Sequence, residues 1–545
     1  MELKELILKH ALINAFLYQG KTKEDIVIKK VLAEKPELKE EIKKVVEIVK
    51  EVVKEVNSLS LEEQKKLMEK KGIKIELNEK KEELPELPKA EKGKVITAFP
   101  PEPSKYPHLG HAKAAFLNFI YAKKYQGKFI LRFEDNNPKK VEKVYYKEFI
   151  KGLRWLGIRW DKIDYVSDFI PKFYEAVETL IKKNLAYVCL CKQKRIKKLR
   201  WEQKECEHRN FSVQENLDLW EKMLKEFKEG EANLRLKGDM QSENATLRDP
   251  VLMRVIDHKH PRKNYRVWPT YDFATSLMDV WERVTHRFRS KEFEIRKELQ
   301  DYLRSLFGWK TLTFEFGRLN IKGALTSGRK IRELMKKKEL RGWDDPRLVT
   351  LAALKRRGFV PEAIKDFILK TGISKADAEI EFETLESINR QHIDKIANRY
   401  FAIFQPKIIK IVNPPNFTKI KLKVHPEKKR YKELSIDWNE ILIEKEDFEI
   451  FKNREVGLIG LGKVILKEES EFLSTKVEKS LQKIHWLCKP YLKAKIVLPD
   501  AKEIEVLIEK NLRNEKEGKL VQLVRKGFCK IDKMGKEIIL YFSHK

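Results

Sequence analysis

His108 and His111 bracket Gly110 in Pro107-His108-Leu109-Gly110-His111, directly ahead of the helix-forming run Ala112 to Ala122. The free N–H groups and positive dipole of a helix N-terminus favour phosphate. Two imidazoles three positions apart can face that pocket together and donate hydrogen bonds to phosphoryl oxygens, while Gly110 lets a flat ring or a phosphate approach the backbone. Taken alone, the pair is equally readable as surface or capping histidines, and i,i+3 spacing without a third ligand argues little for a metal. A second set is Cys189-Leu190-Cys191 followed, after 14 intervening residues, by Cys206-Glu207-His208. Three thiols and an imidazole suit tetrahedral zinc; the other reading is ordinary reduced cysteines.

The elements that must position the histidines are legible around them. Val95-Ile96-Thr97-Ala98-Phe99 is β-prone and is closed by Pro100, Pro101 and Pro103. After the helix, Gly127 reads as its C-terminal stop, and Phe129-Ile130-Leu131-Arg132-Phe133 predicts a second strand. That strand ends in Glu134 and Asp135, at the edge where open α/β sheets bind ligands. Further helices are predicted over Tyr145–Trp155 and Ile170–Leu185, and strands over Asn233–Lys237 and Leu247–Val251.

At 545 residues, three or four domains are expected. Lys+Arg 116 against Asp+Glu 84 leaves +32, so a polyanionic partner is the first expectation. A thermophile-like surface would explain 37% charged residues but not their imbalance. No signal peptide is recognisable, and no stretch approaches the ~20 apolar residues of a membrane span. Five cysteines in so long a chain point to a reducing compartment, so a cytoplasmic protein is expected.

The run Phe99-Pro100-Pro101-Glu102-Pro103-Ser104-Lys105-Tyr106-Pro107-His108-Leu109-Gly110-His111-Ala112-Lys113 resembles the "HIGH" region of class I aminoacyl-tRNA synthetases. More narrowly it is similar to the archaeal and eukaryotic glutamyl enzymes and their glutaminyl relatives, as is Leu131-Arg132-Phe133-Glu134-Asp135-Asn136-Asn137-Pro138. The resemblance runs from about residue 94 to the C-terminus. With the helical bundle and linker that the apolar pattern predicts over 1–90, it implies a multidomain α/β plus all-β architecture with a Rossmann-like catalytic domain over 91–189 and 265–335. Between those halves an acceptor-stem-binding insertion spans 190–264; a helical stem-contact segment follows over 336–400, and anticodon-binding β-barrels over 401–545.

The resemblance also assigns residues. Pro100, Pro101, His108, Gly110 and His111 would bind ATP, together with Ser327, Arg329 and Lys330 of Leu325-Thr326-Ser327-Gly328-Arg329-Lys330, which is similar to the mobile "KMSKS" loop. His108, Gly110, His111, Arg329 and Lys330 would be catalytic, the last two neutralising departing pyrophosphate. In an ungapped alignment Gly328 stands where the signature's second lysine falls; with the archaeal "STSKI" form it is Lys330. Trp268-Pro269-Thr270-Tyr271-Asp272-Phe273-Ala274 matches the family's amino-acid pocket. There Glu134 and Tyr271 would hold the substrate amino group. Arg289 would pair with the γ-carboxylate of glutamate, where glutaminyl enzymes have a small neutral residue. Some bacterial and archaeal glutamyl enzymes carry a similar CxC…CxH in the insertion that grips the acceptor stem, which favours zinc at Cys189, Cys191, Cys206 and His208. Ala98 departs from the arginine of many relatives.

The expected activity is therefore a monomeric glutamate–tRNA ligase using ATP, Mg2+, L-glutamate and tRNA(Glu), with tRNA(Gln) left open. A glutaminyl enzyme is the nearest alternative, and Ala98 and Gly328 motivate another: a tRNA-binding protein that has lost catalysis.

Outside the catalytic region, Leu3, Leu6, Ile7, Ala11, Leu12, Ala15 and Phe16 fall on one helical face. Ile42, Val45, Val46, Ile48, Val49, Val52 and Val53 make a second stripe, Ser60 reads as a helix start, and a charged linker joins Asn78 to Lys94. From Phe401 on, short alternating runs such as Lys407–Val412, Lys419–Val424, Val456–Gly460, Ala494–Leu498 and Ile538–Phe542 predict β-barrels.

Overall fold

Apolar residues on one face of α1 (Leu3–Leu17) are sealed against Val45, Val49, Val52, Val53 and Val56 of α3 (Ile42–Ser58), with α2 (Glu24–Glu34) and α4 (Leu61–Lys70) completing the bundle. Ile42, at the first position of α3, stays exposed. Ser60 does start α4: its hydroxyl accepts from Glu63 N at 3.3 Å and its own N–H donates to Glu63 Oε2 at 2.8 Å, a reciprocal cap. The computed structural model describes residues 3–17, 20–73 and 84–545. The chain divides into two units, Met1–Leu84 and Pro85–Lys545. The first part of the expected linker, through residue 83, lies outside the described residues.

In the second unit, β1 (Ile96–Phe99) leads through the proline-rich turn into α5 (Leu109–Lys124) and back into β2 (Lys128–Phe133). Then come α6 (Lys143–Trp155), β3 (Lys162–Tyr165) and α7 (Ile170–Lys182). Gly127 is needed for a different reason from the one its position suggests. Gln126 takes the left-handed turn that ends the helix (φ 51°), whereas a Cβ on Gly127 would lie 1.9 Å from Val95 O.

An antiparallel sheet follows, β4 (Ala186–Cys189), then β5 (Asn233–Leu236), β6 (Val251–Val255) and β7 (Val267–Pro269) in that order, with α8 (Gln193–Trp201) and α9 (Val213–Lys225) between β4 and β5. The strand expected over Leu247–Val251 is displaced: Ala245–Leu247 is a 3-10 turn and β6 begins only at Val251. Asp249 is held at φ 40° and its carboxylate accepts from Gly238 N at 2.8 Å, so the backbone there is committed to a turn.

The chain returns through α10 (Tyr271–Trp281), β8 (His286–Ser290), α11 (Lys297–Ser305) and β9 (Leu312–Phe316). β1, β2 and β3 pair in parallel, as do β8 and β9. Thr285 joins the two pieces: its N–H donates to Ile96 O at 3.0 Å and its hydroxyl accepts from Ile96 N at 2.9 Å. The resulting order, β3-β2-β1-β8-β9, reverses direction beside β1, and ligands bind at such a switch point. Beyond it lie β10 (Leu319–Ile321), α12 (Gly328–Lys336), α13 (Leu351–Arg357), α14 (Pro361–Thr371), β11 (Ala378–Ile380), which pairs with β10, and α15 (Phe382–Ile393).

The C-terminal strands form two curved sheets, each around its own core. In the seven-stranded sheet one edge is Asn398–Tyr400 and the other Ala402–Ile403, so a single segment closes it. In the six-stranded sheet the edge strand Ile441–Glu444 meets the segment after Lys483–Ile484 through paired Leu442 and Leu487 bonds of 2.8 Å. Closure leaves neither edge free for foreign strands. Arg356 ties α13 to the first of these barrels, bonding Asp532 at 3.0 Å and lying 4.5 Å over the Tyr541 ring.

Candidate active site

The turn between β1 and α5 is built by its own histidines. Nδ1 of His108 accepts the N–H of Gly110 at 3.1 Å, and Nδ1 of His111 accepts the N–H of His108 at 3.2 Å. Each ring therefore caps one of the otherwise unpaired donors at the start of α5. With both Nδ1 atoms serving as acceptors, the neutral tautomer of each ring carries its proton on Nε2. The rings lie 3.9 Å apart, and the edge of His111 meets Phe149 at 5.1 Å. Burial, with the Lys105 charge, brings His108 down to about 3 and, with His108 added, holds His111 well below 6.5. Two neutral N–H donors therefore stand at a helix N-terminus, a geometry suited to phosphoryl oxygens.

Neighbouring segments fix this turn from two sides. Tyr106 stacks on Trp343 at 5.4 Å, Leu351 N donates to Pro107 O at 2.8 Å, and Leu109 N to Val349 O at 3.3 Å. On the other side Glu134 N donates to Pro101 O at 3.0 Å, so the end of β2 is stitched to the proline turn. Pro101 is buried and Pro100 half-buried beneath it.

At the end of β2, Glu134 is buried and its Oε1 has no hydrogen-bond partner; the nearest cation, Arg132, is 3.7 Å away. Burial pushes its carboxyl up, against the opposing pull of Arg132 and Arg287. A buried carboxylate oxygen left open in this way is a receptor for an ammonium group. Tyr271, the first residue of α10, accepts from Arg289 Nη2 at 3.1 Å. Arg289 also donates to Gln300 Oε1, and its ring partner is Phe293 at 4.5 Å. Among the described residues no carboxylate pairs with Arg289, and its Nε is buried without a partner. Burial, with Arg287 close by, lowers it to about 10. Its neighbours show the contrast. Arg132, Arg287 and Arg304 all reach Asp279 at 2.9 to 3.0 Å, and Arg132 also reaches Glu282 at 2.7 Å. Burial opposes charge on Asp279, but these three guanidiniums hold its carboxyl below the usual value. Those three arginines are carboxylate-paired, whereas Arg289 has only neutral partners.

Glu134, Tyr271 and Arg289 are thus brought together, and the charge of Glu134 acts on both others. The loop before α12 is arranged differently. Ser327 caps α12, its Oγ accepting from Lys330 N at 3.4 Å, while Arg329 pairs with Glu333 at 3.0 Å and both Arg329 and Lys330 are exposed. The loop contacts the proline turn through other groups: Arg332 donates to Ser104 O at 2.9 Å, and Lys105 Nζ lies 3.5 Å from Thr326 O. Ala98 packs with Ile130 and Val284 in a small apolar cluster, so its position carries no cation. Sequence reasoning missed Gln300 and the Asp279 network, which no motif marks. No motif role attaches to Lys105 in the sequence. The alternation of Arg287 and Arg289 in one strand was the available signal that both face the same side.

Cys189, at the end of β4, lies with Cys191, Cys206 and His208 so that their ligand atoms all fall within 4.8 Å of one another. Sγ of Cys189 and Cys206 are 3.9 Å apart, and Cys191 Sγ is 3.5 Å from His208 Nδ1. Four ligands at about 2.3 Å around a tetrahedral zinc stand at roughly these separations, so the donor set fits the metal. Metal analysis of a metal-replete preparation should find one zinc per chain, and chelation should lower the melting temperature by about 5 °C or more. A zinc-free, equally stable protein would end the assignment.

Residues 94–395 match the family model of the catalytic domain of class I tRNA synthetases (E and Q). Residues 397–482 and 483–532 match two models of the anticodon-binding domain of the same group. The chain is 41% identical to a glutamate–tRNA ligase of Pyrococcus abyssi, 40% to one of Pyrococcus furiosus and 41% to one of Nitrosopumilus maritimus, with 100% of both sequences covered in each case.

Proposed function

The chain belongs to the class I tRNA synthetases of the E and Q group, and from that premise we propose that it is a glutamate–tRNA ligase acting on L-glutamate, ATP as its magnesium complex, and tRNA(Glu). In the first step a carboxylate oxygen of glutamate attacks the α-phosphorus of ATP, and pyrophosphate leaves. In the second the terminal ribose hydroxyl of the tRNA attacks the carbonyl carbon, and AMP leaves. The protein supplies position and charge rather than a nucleophile of its own. Nε2–H of His108 and His111 hold phosphate oxygens over Gly110, with Pro100 and Pro101 framing the nucleotide. Ser327, Arg329 and Lys330 bring the α12 loop to the phosphates. Glu134 and Tyr271 take the substrate ammonium.

The observation that carries glutamate over glutamine is Arg289: a buried guanidinium with only neutral partners is stabilised by a carboxylate and gains nothing comparable from an amide. Zinc at Cys189, Cys191, Cys206 and His208 would brace the segment after β4 against the acceptor stem. The net charge of +32 and the two closed barrels fit a long RNA partner. Five free cysteines, and no described helix long and apolar enough to cross a membrane, favour a cytoplasmic location.

Aminoacylation of separately purified tRNA(Glu) and tRNA(Gln), each offered both amino acids, tests this. Glutamate should be transferred to tRNA(Glu), and glutamine at least about 10³-fold less efficiently. Preferential glutamine transfer would overturn the use of Arg289, and tRNA retention without any charging would favour a non-catalytic RNA-binding protein. Glutamate on tRNA(Gln) would define a non-discriminating enzyme.

A further inference from the structure

Lys105 and Gly328 face each other across the gap between the proline turn and the α12 loop. A Cβ built on Gly328 would fall 3.0 Å from Lys105 Cδ and 3.3 Å from its Cβ. The lysine stem therefore occupies the space a side chain at 328 would need. Its ammonium stands 3.5 Å from Thr326 O and makes no salt bridge among the described residues, although Glu102 and Glu292 act on it through their charge. It precedes His108 and His111 by three and six positions in the same turn, and its charge acts on both rings. Those rings are neutral and donate hydrogen bonds without contributing net charge. Of the loop's own cations, Arg329 is tied to Glu333 and Lys330 is exposed.

We propose that Lys105 is a catalytic residue of the adenylation step, supplying from the proline turn the ammonium that the loop lacks at Gly328. This rests on the adenylation reading of the same turn. As the carboxylate oxygen bonds to the α-phosphorus, the bond from that phosphorus to the bridging oxygen breaks, and the electron pair leaves with pyrophosphate. The leaving group gains negative charge there, and a cation at Lys105 is placed to neutralise it. Lysine at 105 and glycine at 328 form one device, with the charge carried on one side of the gap and the space left on the other.

The test uses the full chain with tRNA(Glu) present and measures pyrophosphate exchange together with melting temperature. Lys105→Met keeps most of the stem's volume and removes the charge. It should lower kcat of exchange by about 10²-fold with KM for glutamate and melting temperature nearly unchanged. The transposed pair Lys105→Gly with Gly328→Lys should regain activity to within about tenfold of wild type, whereas Lys105→Gly alone should not. Wild-type kcat in Lys105→Met, or a well-folded transposed pair no better than Lys105→Gly, would overturn the role of Lys105. A wild-type chain without exchange would overturn the adenylation reading as well, so the two failures are distinguishable.

Discussion

Replacing Arg289 with alanine should cut kcat/KM for glutamate by about 10³-fold, measured by aminoacylation at saturating tRNA and ATP. The size follows from burial. A guanidinium already out of water and satisfied only by Gln300 and Tyr271 has its strongest remaining interaction reserved for an anion. Removing it would leave the γ-carboxylate buried without a countercharge, a loss of several kcal/mol. Arg289→Lys separates charge from shape: an ammonium cannot reproduce the two-pronged contact while also reaching Gln300 and Tyr271, so an intermediate loss is expected. Because Gln300 also donates to Asp272 at 2.7 Å, melting temperature should be recorded for both variants. Unchanged glutamate selection in a folded Arg289→Ala protein would remove this residue from the pocket.

His111→Ala should slow adenylate formation by about 10²-fold or more, the scale of a lost preorganised donor. His111 has two ring nitrogens, however: Nδ1 caps the His108 N–H, and Nε2–H is the one left to donate to phosphate. Asparagine can keep the acceptor of the cap, but its short amide does not reach the position of Nε2–H. If the phosphate role holds, His111→Asn should fall with alanine; a wild-type rate in His111→Asn would reduce the residue to a cap. The ring's state matters too. With His108 held at about 3, its ring stays neutral between pH 5 and 8 and should impose no acid limb on the rate there; burial disfavours the charged form of His111 as well. The linked stability has a definite sign. His108 binds its proton less readily folded than unfolded, so its contribution is present above the ordinary value of about 6.5 and is lost as pH falls towards 3.

The phosphate-facing turn was readable in the sequence because every feature of it is local. Strand, prolines, two histidines around a glycine, and a helix start lie within Val95–Ala122. The C-terminal strands were equally legible as alternating runs, and the Cys/His set by its spacing. Three other features were not. Closure of the two barrels depends on pairing Leu442 with Leu487 and on one segment, Asn398–Ile403, meeting strands more than a hundred residues away. Gly127 looked like a helix stop, but its need comes from Val95 across the sheet. The Leu247–Val251 run alternated like a strand, yet Asp249 binds backbone from another segment and turns the chain.

By itself, then, the sequence determined where phosphate chemistry could occur and which side chains could carry it, since residue type and short spacing act through neighbours along the chain. Only the tertiary structure decided which charges are spent and which are open. Arg132, Arg287 and Arg304 each pair with Asp279 while Arg289 pairs with no carboxylate among the described residues, and Lys105 fills the space beside Gly328. The physical reason is that charge and volume are balanced through space, between residues up to more than two hundred positions apart, and no local pattern records that balance.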